Sequence, residues 1–108
     1  MSRNIENVKA FEFWPDFGCC IWLNHMGYGH ECLPITEGLK EAIDSWLCWY
    51  SKEYYNKNMK KGKLDHELFN MMGYSLLMML KEQLTDWTIT TCYDIEEAGK
   101  NYEYYRAS

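Results

Sequence analysis

The stretch CCIWLNHMGYGHEC, residues 19–32, brings Cys19, Cys20, His25, His30 and Cys32 into fourteen positions. Thiolate and imidazole are the usual donors for zinc, and a thiol beside an imidazole is the minimum for a cysteine nucleophile. Cys32 with His30 or His25 could meet in three dimensions, but a Cys and a His close together on a loop are more often accidental than catalytic, and the spacing speaks against zinc. No Cys-x-x-Cys pair sets two sulfurs on one tight knuckle. His25 and His30 are five apart on a glycine-containing stretch and do not share a helix face. Cys19 and Cys20 are adjacent, so in an extended segment they point to opposite sides and only one can face a shared ion. The residues favour a structural loop, with one of the two cysteines in the core and the histidines toward solvent. A metal-binding or redox role for loop 19–32 is the alternative.

Little else carries chemistry. Glu12, Asp16 and Glu31 place carboxylates near the loop, but no motif pairs them for acid–base work. There is no phosphate-binding glycine loop and no His-Glu-x-x-His. We therefore assign no catalytic residue, no metal ligand and no cofactor, and expect a non-enzymatic chain.

The formal charge is −5, and it is unevenly spread. Residues 57–63, KNMKKGK, hold four lysines and no acid, leaving seven basic and sixteen acidic residues elsewhere. That balance repels phosphate backbones and argues against direct nucleic-acid binding. It suits a basic protein partner instead. Five Trp, nine Tyr and four Phe in 108 residues exceed what one small core holds, so some aromatics face a partner. No apolar run approaches the roughly 20 residues that span a bilayer, and MSRNIENVKAFEF lacks the apolar centre of a signal peptide. A cytoplasmic location is expected, with the five cysteines reduced; their odd count fits no disulfide framework.

The length suits one domain, 1–108. VKAFEFW, residues 8–14, alternates as a strand, with Val8, Ala10 and Glu12 on one side and Lys9, Phe11 and Phe13 on the other; Pro15 should end it. DFGCCIWL continues as a second extended piece, and NHMGYGHECLP reads as loop. Thr36 is a helix N-cap with Glu37 in the first turn. Leu39, Ile43, Trp46, Leu47, Tyr50 and Tyr54 then recur at helical spacing to about Asn56. After a turn at Gly62, a second helix runs from Leu64 or Asp65 to Leu84. Its expected stripe is Leu68, Met72, Leu76, Met79 and Leu80, widened by Phe69, Met71, Leu77 and Met78. Gly73 in its middle costs about 1 kcal/mol against Ala, which implies close approach of another backbone. DWTITTCYD, residues 86–94, is a strand with Trp87, Ile89, Thr91 and Tyr93 on one side. Gly99 then turns the chain, and YEYYR pairs back as an edge strand, with a terminal helix over 95–105 as the alternative. The expected fold is α+β: a small, largely antiparallel sheet with two long helices on one face.

In order, FEFWPDFGCCIW, LPITEGLKEAIDSWLCWY, GYSLLMMLKEQL and DWTITTCYD resemble a group of small bacterial immunity proteins over about residues 11–94. These are cytoplasmic antidotes to toxins delivered by neighbouring cells, as in contact-dependent growth inhibition. The resemblance implies a non-enzymatic protein that covers a toxin domain, with a basic nuclease favoured, through an acidic, aromatic surface. The interface candidates are Asp16, Glu31, Asp94, Glu96, Glu97, Tyr102, Glu103 and Tyr105, on the loop and terminal segments. The residues also leave open an interaction subunit unrelated to toxins.

Overall fold

The computed structural model describes residues 5–16, 18–55 and 66–107, without the side chains of 53–55 and 102–107. Along the chain come α1 (Ile5–Val8), β1 (Ala10–Asp16), β2 (Cys19–Leu23), β3 (Met26–Tyr28), a 3-10 turn (His30–Cys32), α2 (Glu37–Tyr55), α3 (His66–Gln83), β4 (Thr88–Thr91) and α4 (Tyr93–Ala107). The strands form one sheet in the order β3-β2-β1-β4. β2 is antiparallel to β1 and β3, while β4 joins β1 in parallel. The expected α+β architecture and largely antiparallel sheet are present, and a third long helix joins the two expected.

Alternation decides what each sheet face does. Phe13 is opposed by Ile21 on one side and Thr91 on the other, and Phe11 by Ile89. Phe11, Phe13, Ile21 and Ile89 are buried under the helices. Glu12 is opposed by Trp22 and Thr90, Trp22 by Gly27, and Ala10 by Thr88. This second set belongs to the opposite face, where Glu12, Gly27, Thr88 and Thr90 are exposed.

Trp46 of α2 centres the core. Its indole stacks on Phe13 at 5.3 Å and on Phe69 at 4.6 Å, and its Nε1–H donates to the Phe69 carbonyl at 3.0 Å. Leu39, Ile43 and Leu47 complete the inner stripe of α2, as the periodicity predicts. Thr36 caps that helix: its Oγ1 accepts from the Leu39 N–H at 3.2 Å. Gln83, the last residue of α3, bonds both the N–H and the hydroxyl of Thr36, at 2.9 and 3.2 Å, clamping the end of α3 to the start of α2.

Five expectations need correction. Pro15 does not end β1; the ladder shifts register between Phe13 and Asp16, and that irregularity spares the missing proline N–H. NHMGYGHECLP is not all loop. Asn24 and His25, with φ of 52° and 67°, make a two-residue turn into β3, and the 3-10 turn follows. Such a turn wants two positive-φ residues, and His is an uncommon choice there. In α3 the spacing holds but the phase differs: Phe69, Gly73, Leu76, Leu77 and Leu80 face inward, while Leu68, Met72, Met78 and Met79 are exposed. Gly73 sets that phase. Its neighbour is not a backbone but the Trp46 ring, whose Cζ2 would lie 2.7 Å from an added Cβ.

The fifth correction is the largest. Residues 102–106 are not an edge strand, and Gly99 is not a turn; both lie in α4. Ile95, Ala98 and Gly99 form its buried face, and Gly99 gives way to the Tyr74 ring. The strand before it is also shorter than DWTITTCYD suggests, so Tyr93 opens α4 and is 71% exposed, away from Trp87 and Ile89. The lysine-rich stretch and the turn at Gly62 lie outside the described residues.

Candidate functional site

The Cys/His stretch is split among several environments. Cys20 is fully buried, and burial first, then its electrostatic neighbours Cys19, Asp44 and Glu31, pushes its thiol well above the ordinary value of 9.0. It stays a protonated thiol, the unreactive form. Cys19 is half-buried, and its Sγ donates to the carbonyls of Tyr28 at 3.4 Å and Ile21 at 3.5 Å. Cys32 is exposed, and His25 sits in the β2–β3 turn facing solvent. One cysteine in the core was expected and is seen.

His30 differs from the expectation of a solvent-facing ring. It is buried in the 3-10 turn, and its Nε2–H donates to Asp44 Oδ1 of α2 at 2.6 Å. An ionised carboxylate only accepts, so the proton is placed on Nε2. Glu31 stands on the other side, its Oε2 3.9 Å from Nδ1, beyond hydrogen-bond range. The pairing fastens the 3-10 turn to α2. It was legible only as an unassigned His in the loop and an Asp on the polar side of α2. Among the described residues, no three His, Cys, Asp or Glu side chains meet in an arrangement suited to holding a metal ion.

The eight interface candidates fall in three places. Asp16 ends β1, and Glu31 lies in the 3-10 turn with its side chain 70% exposed. The other six share α4. Asp94 and Glu96 are exposed in its first turn, where carboxylates also suit the positive end of the helix dipole. Glu97 accepts from Lys100 Nζ at 3.0 Å. The side chains of Tyr102, Glu103 and Tyr105 lie outside the described residues. Sequence reasoning missed Tyr93, which stands exposed beside Asp94.

Asp94 lines a cleft of about 250 Å³ with Trp14, Pro15, Tyr50 and Phe69, close to Asp16 in the chain. Glu96 lines a separate groove of about 760 Å³ between α3, α4 and β4. Tyr74, Leu77, Ile89 and Gly99 give it apolar walls, and Lys81 and Lys100 stand on its helical sides. That volume is in the range of ligand and anchor pockets. β4 is the edge strand here. Thr88 N–H donates to the Lys9 carbonyl at 2.9 Å, so in the parallel ladder the backbone groups of Ile89 and Thr91 point away from β1.

No helix among the described residues is long and apolar enough to cross a membrane. No family model, curated protein or solved structure matches the chain.

Proposed function

We propose that this chain acts by binding a protein and that its partner is a toxin domain, a basic nuclease in the favoured case, which it neutralises in the cytoplasm as an immunity protein. The observation that carries the reading is the first turn of α4. Tyr93, Asp94 and Glu96 are all exposed there, beside a groove with an apolar floor and an open strand edge. Aromatic anchors ringed by charge are the usual content of a protein interface. A chain of −5 charge steers toward a basic partner and away from nucleic acid. The resemblance of residues 11–94 to small immunity proteins supplies the more specific half of the reading.

The test is titration of the protein with candidate toxin domains sought in the neighbourhood of its gene. Replacing Asp94 and Glu96 with Asn and Gln should slow association and flatten its salt dependence, because exposed charges act mainly on the encounter. Replacing Tyr93 with Ala should speed dissociation, by roughly tenfold or more if it is a hot spot. Binding unchanged in both variants removes the α4 surface from the interface.

A further inference from the structure

The sheet face opposite the helices holds a second arrangement, which shares only Thr90 with the groove of α4. Gly27, Trp22, Glu12 and Thr90 form one row across all four strands. Trp14 stacks flat on Trp22, with centroids 4.4 Å apart and planes 6° from parallel, and the Trp22 Nε1–H donates to the Trp14 carbonyl at 3.0 Å. Gly27 makes room for this: an added Cβ would meet Cys19 Sγ at 2.8 Å and the Trp22 ring at 3.4 Å. The indole pair is therefore fixed in place before any ligand arrives. A cleft of about 160 Å³ opens beside it, lined by Glu12, Trp22, Asn24, Thr88 and Thr90 among others. Glu12 is exposed, and its side chain makes no ion pair or hydrogen bond among the described residues.

A carboxylate with no counter-ion among the described residues, beside a held indole and two threonines, has the chemistry of a guanidinium site. The carboxylate accepts two N–H bonds from the planar fork, and the fork lies against aromatic surface. A phosphate-bearing ligand would meet Glu12 first and be repelled. We propose that this cleft takes an arginine side chain of a basic protein partner. The inference rests on the partner-binding reading above and extends its surface. Thr90 lines both this cleft and the groove of α4. Glu12 and Glu96 thus lie on opposite faces of the sheet at β4, and one partner wrapping the edge of β4 reaches both.

The experiment is nuclear magnetic resonance titration of the isotope-labelled full chain with an acetylated, amidated Gly-Arg-Gly peptide. The citrulline analogue and a thymidine octanucleotide are titrated in parallel. The arginine peptide should shift the amides of Glu12 and Thr90 and the indole N–H of Trp22, and the neutral citrulline analogue should not. Glu12→Gln should weaken that binding about fivefold, the scale of one partly exposed ion pair. Glu41→Gln, the same charge change on the exposed side of α2, should leave it unchanged. Equal losses in both variants, shifts elsewhere on the chain, or preference for the octanucleotide would overturn the proposal. The two readings also fail separately. Arginine binding at the cleft with no toxin complex keeps this site and removes the toxin. A toxin complex indifferent to Glu12→Gln, with no peptide binding, removes the site and keeps the toxin.

Discussion

Helix propensity and packing predict opposite signs for Gly73→Ala, and packing should win. In an open helix the change gains about 1 kcal/mol, because Gly is the costlier residue. At position 73 the new Cβ would lie 2.7 Å from Trp46 Cζ2 and 3.3 Å from Ile95 Cδ1. Trp46 cannot step aside easily, being stacked between Phe13 and Phe69 and bonded to the Phe69 carbonyl. Overpacking of this kind costs about 1–3 kcal/mol, and a ring held on both sides belongs at the upper end. The net expectation is a loss of about 1–2 kcal/mol. Gly38 is the control: it lies in α2 with nothing within 4 Å of an added Cβ, so Gly38→Ala should gain up to about 1 kcal/mol. Urea unfolding of the three proteins, with equal m-values, measures both numbers. Gly73→Ala as stable as the parent would show that Trp46 moves freely and that the phase of α3 is not set by this contact.

Three further expectations follow from the geometry. His25→Gly should stabilise by about 1 kcal/mol, since His25 at φ 67° carries a left-handed strain that glycine does not; a lower thermal midpoint for the variant would refute it. Asp44→Ala should cost about 1–3 kcal/mol by leaving the His30 N–H buried and unpaired, and Asp44→Asn, which keeps an acceptor, should cost less; equal losses by denaturant titration would show that the hydrogen bond is immaterial. The Cys20 thiol keeps its proton in the fold while the unfolded chain loses it above pH 9.0. Its contribution is fully present below that pH and is lost as pH rises, at up to about 1.4 kcal/mol per unit. Cys20→Ala should therefore show a flatter decline than the parent at alkaline pH, and parallel curves would contradict the buried thiol.

What was legible in the sequence was what one element decides alone. Thr36, Glu37 and the spacing from Leu39 onward specify α2 because cap, dipole and period agree. The alternation of β1 was legible, though not which side turns inward, and one of Cys19 and Cys20 was expected in the core without saying which; it is Cys20. What failed depended on a distant partner. The phase of α3 is set by Trp46, twenty-seven positions before Gly73. Gly99 looked like a turn because the Tyr74 ring that requires a bare Cα there is invisible from its neighbours in the chain. The helix signal in Tyr93–Glu97 was present as acids at an N-terminus, but the β-rich run before it masked where the strand stops. His30 looked solvent-facing because its partner, Asp44, lies on another element.

The acidic surface was legible in charge alone, but its layout was not. Six of the eight candidates share α4, while Glu12, weighed only as a strand residue and as a carboxylate with no acid–base motif, stands beside the Trp14–Trp22 stack on the sheet face opposite the helices. The one measurement that bears most directly on the account is rescue of growth. Cells expressing a candidate nuclease toxin domain, sought in the neighbourhood of this gene, should survive when the chain is co-expressed, and a complex of the two should be recoverable from them. Survival with the parent chain, and its loss on combining Tyr93→Ala with the Asp94 and Glu96 replacements, is the predicted result. No rescue and no complex, with both proteins soluble and the toxin domain active, would contradict the claim that this protein works by binding that partner.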